Sequence, residues 1–307
     1  MTTFDETEYP MLSVLIPVYR WDPRQLVAEI REQILQAGIP YEIIVSDDTP
    51  HFEEPEYQQN LALLSGVRCF WRDHPLSRSA NRNFLASEAA YNYLLFLDCD
   101  GKVNSPVFIR DYIKKMNPDS VLVGGTLYDS IPPVNRSLTL RWIFGTHREQ
   151  IPASMRNRDP WKSFSTFNFL IPAAIFHSIR FSENLTGYGH EDTLFGLQLK
   201  NRGIPVIHLD NGLVHLGLDS AEVFLAKVRE SVSGLFYLQQ TGLIGPGEAS
   251  EIKLLRTAAS LRKYGLLKVV HLIYRALRKP LEKTLLGKHP RLYILDLYKL
   301  GLISQFG

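Results

Sequence analysis

The chain has 307 residues, of which 45% are apolar and 21% charged, with a formal net charge of +2. This balance is that of a globular protein and excludes a disordered or fibrous one. Two cysteines, Cys69 and Cys99, exclude a disulfide framework and favour a reducing compartment. Residues 1–10 lack the apolar core of a signal peptide, and no stretch has the length of a transmembrane helix, so we expect a cytoplasmic protein.

Short apolar runs alternate with helical patterns along most of the chain. This alternation predicts an α/β domain with a mainly parallel central sheet. The polar, arginine-rich stretch from Arg141 to Trp161 is typical of a loop. Strands are predicted at 12–18, 41–46, 67–71, 93–97, 121–126, 167–173 and 206–209, and helices between Pro23 and Gly38, at 79–90 and at 192–201.

The last part of the chain has a different character. Residues 253–291 contain 11 Lys or Arg against the single acidic residue Glu282, interleaved with Leu, Val, Ile and Tyr. A basic amphipathic helix of this kind is typical of an element that lies on an anionic membrane surface. The alternative is a helical appendage that packs on the rest of the protein and exposes a basic face. Nucleic acid is not expected as a partner, because no nucleic-acid-binding motif accompanies the charges.

Two aspartates directly follow the apolar strand at 93–97. Asp98 and Asp100 are two positions apart, so in an extended segment both carboxylates point to the same side. Together they repel, and a hard divalent cation such as Mg²⁺ or Mn²⁺ would neutralise them. A loop whose acidic residues face water is the alternative.

Two further acidic pairs lie near predicted element ends, where ligands of open α/β sheets bind. Asp47 and Asp48 follow the second strand, where they could accept hydrogen bonds from a ligand or cap a polar turn. Glu191 and Asp192 precede a helix. Asp192 could therefore serve as a general base or as a helix N-cap.

Basic residues and histidines add weaker candidates. Arg78 and Arg82 are one helical turn apart and could pair with phosphates or with nearby carboxylates. His215 follows a short apolar run and could be a metal ligand or a structural histidine.

Taken in chain order, these segments resemble the inverting family-two glycosyltransferases, which have the GT-A fold. The resemblance spans roughly residues 11–230. It implies a GT-A domain at 11–245 with a mainly parallel sheet flanked by helices, a tail at 1–10 and a basic, mainly helical C-terminal extension at 246–307. The stretches that carry it are LSVLIPVYR at 12–20, EIIVSDDT at 42–49, RSANRNFLASEA at 78–89, YLLFLDCD at 93–100 and GYGHEDTLFGLQLKNRG at 187–203.

The resemblance also implies roles for individual residues in donor binding. Pro17 and Tyr19 would line the base end of the donor pocket, and Asp47 would bind the base, which is uracil in many relatives. Arg78 and Arg82 would lie near the nucleotide or the DxD loop. In that loop Asp98 would contact the ribose or stand behind the residues that bind the donor directly.

By the same resemblance, the chemistry would depend on a Mn²⁺ or Mg²⁺ ion and a carboxylate base. Asp100 would ligate the metal at the diphosphate, and His215 matches a position that often contacts the metal. Asp192 would be the catalytic base, and Glu191 beside it would be a second catalytic residue that orients or contacts the acceptor. The implied reaction transfers one sugar from a nucleoside-diphosphate donor to a saccharide or lipid-linked acceptor in glycan synthesis, at the inner face of the membrane if the basic segment docks there.

Several features depart from the family pattern. The motif reads DDTP rather than DDGS, so Pro50 alters the backbone after Asp48. The QxxRW motif and the membrane helices of processive synthases are missing, so we expect single-sugar transfer. Alternatives are an inactive nucleotide-sugar-binding scaffold of the same fold and a nucleotidyltransferase, although the latter would want a glycine-rich loop after the first strand. A dinucleotide-binding oxidoreductase would need GxGxxG there, and none is present.

Overall fold

The computed structural model describes residues 11–50, 55–72, 74–184 and 187–306. The predicted tail at 1–10 lies outside the described residues. The strands are β1 (Leu12–Val18), β2 (Tyr41–Asp47), β3 (Val67–Trp71), β4 (Tyr93–Leu97), β5 (Gly101–Val103), β6 (Val121–Val123), β7 (Thr126–Leu127), β8 (Asn168–Pro172), β9 (Val206–His208) and β10 (Leu213–His215).

Helices connect these strands and form most of the last third of the chain. They are α1 (Arg24–Ala37), α2 (Pro55–Ala62), α3 (Arg78–Glu88), α4 (Phe108–Ile113), α5 (Thr139–Arg148), α6 (Ala153–Arg156), α7 (Ala173–Ile179), α8 (Glu191–Asn201), α9 (Ala221–Gln240), α10 (Pro246–Glu251), α11 (Lys253–Lys263), α12 (Leu267–Leu285) and α13 (Leu292–Ile303).

The central sheet has seven strands in the order β3-β2-β1-β4-β8-β6-β9. Strands β3, β2, β1 and β4 are parallel to one another, and β9 is parallel to β6. Strand β8 is antiparallel to both of its neighbours, β4 and β6. The predicted α/β class with a mainly parallel sheet is therefore confirmed. A smaller sheet has the order β5-β10-β7.

Strand β1 shows why the apolar runs form the centre of this sheet. Its residues are almost entirely inaccessible on both faces, as parallel strands covered by helices must be. Val14 packs in one core with Val27 and Ile30 of α1, and Leu15 packs in the other with Phe96. Each such side chain contributes about 1.5–3 kcal/mol by leaving water.

Two compact units divide the chain. One comprises residues 1–128, 150–184 and 191–217 and contains both sheets. The other comprises residues 129–149, 185–190 and 218–307, and its main elements are α5 and α9 to α13. The helical character expected of 246–307 is confirmed, whereas the boundary at 245 remains a prediction. Among the described helices, none combines the length and apolar character needed to cross a bilayer.

The stretch from Arg141 to Trp161 is not the loop that its composition suggested. It contains most of α5 and all of α6. Arg141 is buried, bonds Glu149 at 3.0 Å and lies over the ring of Phe224. Arg156 donates to the backbone carbonyls of residues 123, 124, 151 and 209, so it is a structural arginine. The predicted strand at 121–126 is also divided, into β6 and β7.

Candidate active site

The carboxyl ends of β1, β2 and β4 meet at one edge of the central sheet. The backbone N–H of Asp48 donates to the carbonyl of Val18 at 3.0 Å, which joins the ends of β1 and β2. Asp98 follows β4, and its N–H donates to the carbonyl of Phe167 at 3.0 Å. Ligands of open α/β sheets bind at this edge. The acidic residues that follow β2 and β4 therefore lie where a ligand would contact them.

Asp47 is the most buried of these acids, with 2% of its surface exposed. Its Oδ1 accepts the N–H of Thr49 at 2.8 Å. Its Oδ2 is buried and has no hydrogen-bond partner among the residues that the structure describes. Burial raises the pKa of Asp47 above its ordinary value. An N–H donor from a ligand would satisfy this oxygen.

Thr49 stands where the family pattern has glycine, and its hydroxyl has a definite contact. Its Oγ1 accepts the backbone N–H of Arg20 at 2.6 Å, which ties the loop after β2 to the loop after β1. Arg20 has a φ of +52°, an unusual value for a side chain of this size. Tyr19 beside it is half exposed, and Pro17 is half-buried near the end of β1.

Asp98 and Asp100 lie in a turn rather than in the extended segment that was predicted. The N–H of Gly101 donates to the carbonyl of Asp98 at 3.0 Å, which closes the turn. The two carboxylates consequently have different partners. Asp98 pairs with Arg82, and Asp100 pairs with His215. The i and i+2 argument was therefore wrong about the backbone, although both acids lie at the sheet edge.

The small sheet brings His215 to Asp100. Strand β10 pairs with β5 so that His215 is opposite Gly101. The Nε2 of His215 lies 3.0 Å from Oδ2 of Asp100, and its Nδ1 lies 3.1 Å from the hydroxyl of Tyr128. The ring of Phe167 lies edge-on to the imidazole, with centroids 5.2 Å apart.

This pair fits one side of a divalent-metal site. Carboxylate and imidazole are both metal ligands, and the bond from Tyr128 to Nδ1 orients the ring so that Nε2 faces Asp100. Glycine at position 217 is what allows the carboxylate of Asp100 to lie here, because a Cβ at Gly217 would be 2.2 Å from Oδ2 of Asp100. In the part of the chain that the structure describes, no cluster of three or more His, Cys, Asp or Glu side chains could hold a metal. Water and the oxygens of a substrate could supply further ligands.

Helix α3 supplies two arginines to the same region. Arg82 is buried and its guanidinium lies 2.6 Å from Oδ1 of Asp98. Arg78, one turn earlier, is half exposed and lies 3.7 Å from the carboxylate of Glu191. The helix thus contacts both the turn after β4 and the start of α8.

Asp192 lies in the first turn of α8, one residue inside the helix rather than before it. Its Oδ1 accepts the N–H of Thr193 at 2.6 Å. Burial raises the pKa of Asp192 to about 6, and the charge of Glu191 adds to the shift, while the charge of Arg82 opposes it. A carboxylate with a pKa near neutrality is suited to accept a proton in catalysis.

Three site residues carried no signal in the sequence. Tyr128 follows the two-residue strand β7, Phe167 precedes β8, and Gly217 lies just past β10. Each reaches Asp100 or His215 through the pairing of distant strands, so no local spacing could have indicated them.

The model of the family described as glycosyl transferase family 2 matches residues 13–177, more than half of the chain. The chain belongs to glycosyl transferase family 2. The matched residues include Asp47, Asp98 and Asp100 and end before Glu191, Asp192 and His215.

Curated relatives are similar over a larger part of the chain. Validoxylamine A glucosyltransferase of Streptomyces hygroscopicus subsp. limoneus is 28% identical over 229 residues, which cover 64% of this chain and 49% of that protein. The protein of the same name from subsp. jinggangensis (strain 5008) is also 28% identical over 229 residues, covering 64% of this chain and 53% of its own length. The chain thus spans about half the length of these relatives.

Among solved structures, the crystal structure of S. aureus TarS 1-349 is similar to the chain. It is 17% identical, with a TM-score of 0.47, over 96% of this chain and 91% of that one. This likeness is too distant to carry a conclusion about substrate or mechanism.

Proposed function

We propose that the chain transfers a single sugar from a UDP-sugar to a hydroxyl of a saccharide or lipid-linked acceptor, with inversion and with the help of Mn²⁺ or Mg²⁺. The observation that carries the proposal concerns Arg82. Its guanidinium holds Asp98 at 2.6 Å, and its charge also acts on Asp192. The turn after β4, where a donor would bind, and the carboxylate suited to be the base thus both lie within the electrostatic influence of one buried arginine.

The base of the donor would bind at the end of β2. The unpartnered Oδ2 of Asp47 is an acceptor that the imide N–H of uracil would satisfy, and exposed Tyr19 offers a ring for stacking. The loop contact between Thr49 and Arg20 would keep this end of the site rigid.

The diphosphate of the donor would lie beside Asp100 and His215. These two residues would hold the divalent ion, which when bound would offset negative charge on the departing diphosphate. The absence of a side chain at Gly217 would let the Asp100 carboxylate keep the place from which it meets the ion.

Asp192 would remove the proton from the acceptor hydroxyl. As the hydroxyl oxygen forms its bond to the anomeric carbon, the bond from that carbon to the diphosphate oxygen breaks, and the electron pair leaves with the diphosphate. The acceptor proton passes to Asp192, whose raised pKa makes it a stronger base than an ordinary aspartate. A single displacement inverts the configuration.

The test is release of nucleoside diphosphate from a panel of UDP-, GDP- and dTDP-sugars with Mn²⁺, Mg²⁺ or EDTA. We expect metal-dependent hydrolysis of one UDP-sugar without acceptor, its loss in Asp100→Asn, and full activity in Asp119→Asn, an exposed acid remote from the site. Metal-dependent nucleotide binding without turnover would instead support an inactive scaffold. Silence in both measurements would overturn the proposal.

A further inference from the structure

Helix α12 has one face that packs within its own compact unit. Leu267, Tyr274 and Leu285 are buried on this face. The ring of Tyr274 lies so close to Gly301 of α13 that a Cβ at Gly301 would meet it at 2.1 Å. This packed face fixes which sides of the helix point away from its neighbours.

A second face of α12 is apolar and exposed. An α-helix turns by about 100° per residue, so the four exposed apolar residues of this face fall within an arc of about 140° on the side away from Tyr274. Half or more of the surface of Leu272 and Ile273 is accessible, at 63% and 53%. We call this set the apolar strip, and it consists of Val269, Leu272, Ile273 and Leu277.

A third face is basic and adjoins the apolar strip. It covers an arc of about 80°, with no acidic residue in it. We call this set the basic strip, and it consists of the exposed residues Lys268, Arg275, Lys279 and Lys283. Glu282 lies at the border of this arc, where its carboxylate accepts hydrogen bonds from Tyr298 and Arg278. The negative charge of Glu282 is therefore compensated by these partners within the protein.

We propose that these two strips form a docking surface for an anionic lipid bilayer. A helix that lies in a membrane interface buries apolar side chains in the acyl boundary and keeps basic side chains among the headgroups. The juxtaposition on α12 provides both, side by side and exposed. Residues 253–291, which include α12, contain 11 Lys or Arg and one acidic residue, so anionic headgroups complement the net charge of this segment.

Other occupants fit the surface less well. A second copy of the chain would bring a second basic strip of the same sign close to the first, and the repulsion opposes association. A nucleic acid would match the basic strip but would leave the apolar strip in water. The lipid surface satisfies both.

Flotation of the full chain with lipid vesicles tests the proposal. We expect binding to phosphatidylcholine vesicles that contain phosphatidylglycerol, and much weaker binding to phosphatidylcholine alone. The L272S/I273S variant should bind roughly tenfold or more weakly, since about two apolar side chains no longer enter the interface. The matched control is L63S/I131S, which removes two apolar side chains that are 83% and 72% exposed elsewhere.

The charge contribution is measured in the same assay. K279Q/K283Q should weaken binding to anionic vesicles by roughly thirtyfold, whereas K114Q/K115Q, at an exposed site on another element, should not. Raising the salt concentration should reproduce the effect in the unaltered chain.

Three results would overturn the proposal. The first is absence of vesicle binding, and the second is binding that L272S/I273S and L63S/I131S reduce equally. The third is a doubled mass by light scattering that L272S/I273S abolishes, which would assign the apolar strip to self-association. Because flotation needs no sugar donor, its failure would leave the proposed glycosyl transfer intact, and the reverse also holds.

Discussion

The Nε2 of His215 lies 3.0 Å from Oδ2 of Asp100, although 115 positions separate the two residues in the sequence. Their contact depends on the antiparallel pairing of β10 with β5, which sets His215 opposite Gly101. A second bond crosses the same place, from the N–H of Leu216 to the carbonyl of Asp100 at 2.9 Å. The backbone bonds of the small sheet therefore hold the two residues next to each other, and their side chains are in direct contact.

Gly217→Ala should impair activity without unfolding the protein. The added Cβ would lie 2.2 Å from Oδ2 of Asp100 and push the carboxylate from its place. We expect donor hydrolysis to fall roughly 100-fold, the usual effect of a displacement of about 1 Å at a reacting centre. The control is Gly247→Ala, where a Cβ meets nothing within 4 Å. An equal loss in both variants would contradict this explanation.

Tyr128→Phe should weaken the response to metal more than it changes the maximal rate. The variant removes the hydroxyl that lies 3.1 Å from Nδ1 of His215, so the imidazole loses its orientation. The Mn²⁺ concentration for half-maximal activity should rise about 10–100-fold. Tyr237→Phe, at an exposed tyrosine of α9, serves as the matched control and should leave the titration unchanged.

Activity should rise with pH as Asp192 ionises. Its pKa of about 6 means that the base is protonated, and inactive, at lower pH. Asp192→Asn should lower the rate by about 10²–10⁴ and remove this limb of the profile. Glu191→Gln should move the limb to lower pH, because the charge of Glu191 contributes to the raised pKa. A limb that persists in Asp192→Asn would assign the base to another residue.

Asp192→Asn should also raise the thermal stability of the protein. Asp192 has a folded-state pKa above its ordinary value of 3.8, so its charged form is disfavoured by folding. The contribution of Asp192 to the free energy of unfolding therefore falls as pH rises from about 3.8 to about 6. Asp192→Asn should therefore melt higher than the parent at pH 8 and equally at pH 3.5, by differential scanning calorimetry. Equal melting at both pH values would show that burial does not penalise this carboxylate.

Arg82 and Arg78 should differ sharply in their effect on stability. Arg82→Ala leaves Asp98 without its 2.6 Å partner in a site where the arginine is 5% exposed. We expect a loss of about 3 kcal/mol, the lower end for a broken buried pair, because Asp98 is partly exposed. Arg78→Ala removes a half-exposed arginine at 3.7 Å from Glu191 and should cost less than about 1 kcal/mol. Urea denaturation of the two variants checks both values, and similar losses would contradict the distinction.

The sequence predicted the elements that local pattern alone determines. Strand β1 at Leu12–Val18 and strand β4 at Tyr93–Leu97 begin and end as predicted, because continuous apolar runs can be satisfied only in a sheet covered on both faces. Because the ends of these strands could be predicted, the acidic residues that directly follow them could be singled out as well. The roles given to them and to Asp192 and His215 remain predictions.

What the sequence could not show depends on distant contacts. Residues of α5 look polar, but Arg141 is buried through an ion pair with Glu149 and the ring of Phe224, so the stretch folds as a helix. The turn at Asp98 is closed by a backbone bond that no spacing rule predicts. Tyr128 enters the site only because β7 pairs with β10.

Strand β8 runs against its neighbours, and Asn168 at its start pairs with Leu97 at the end of β4. A reversed strand presents its beginning, rather than its end, at the edge where the parallel strands finish. Insertions just ahead of Phe167 would therefore alter the surroundings of His215, while insertions after Pro172 would emerge at the opposite edge.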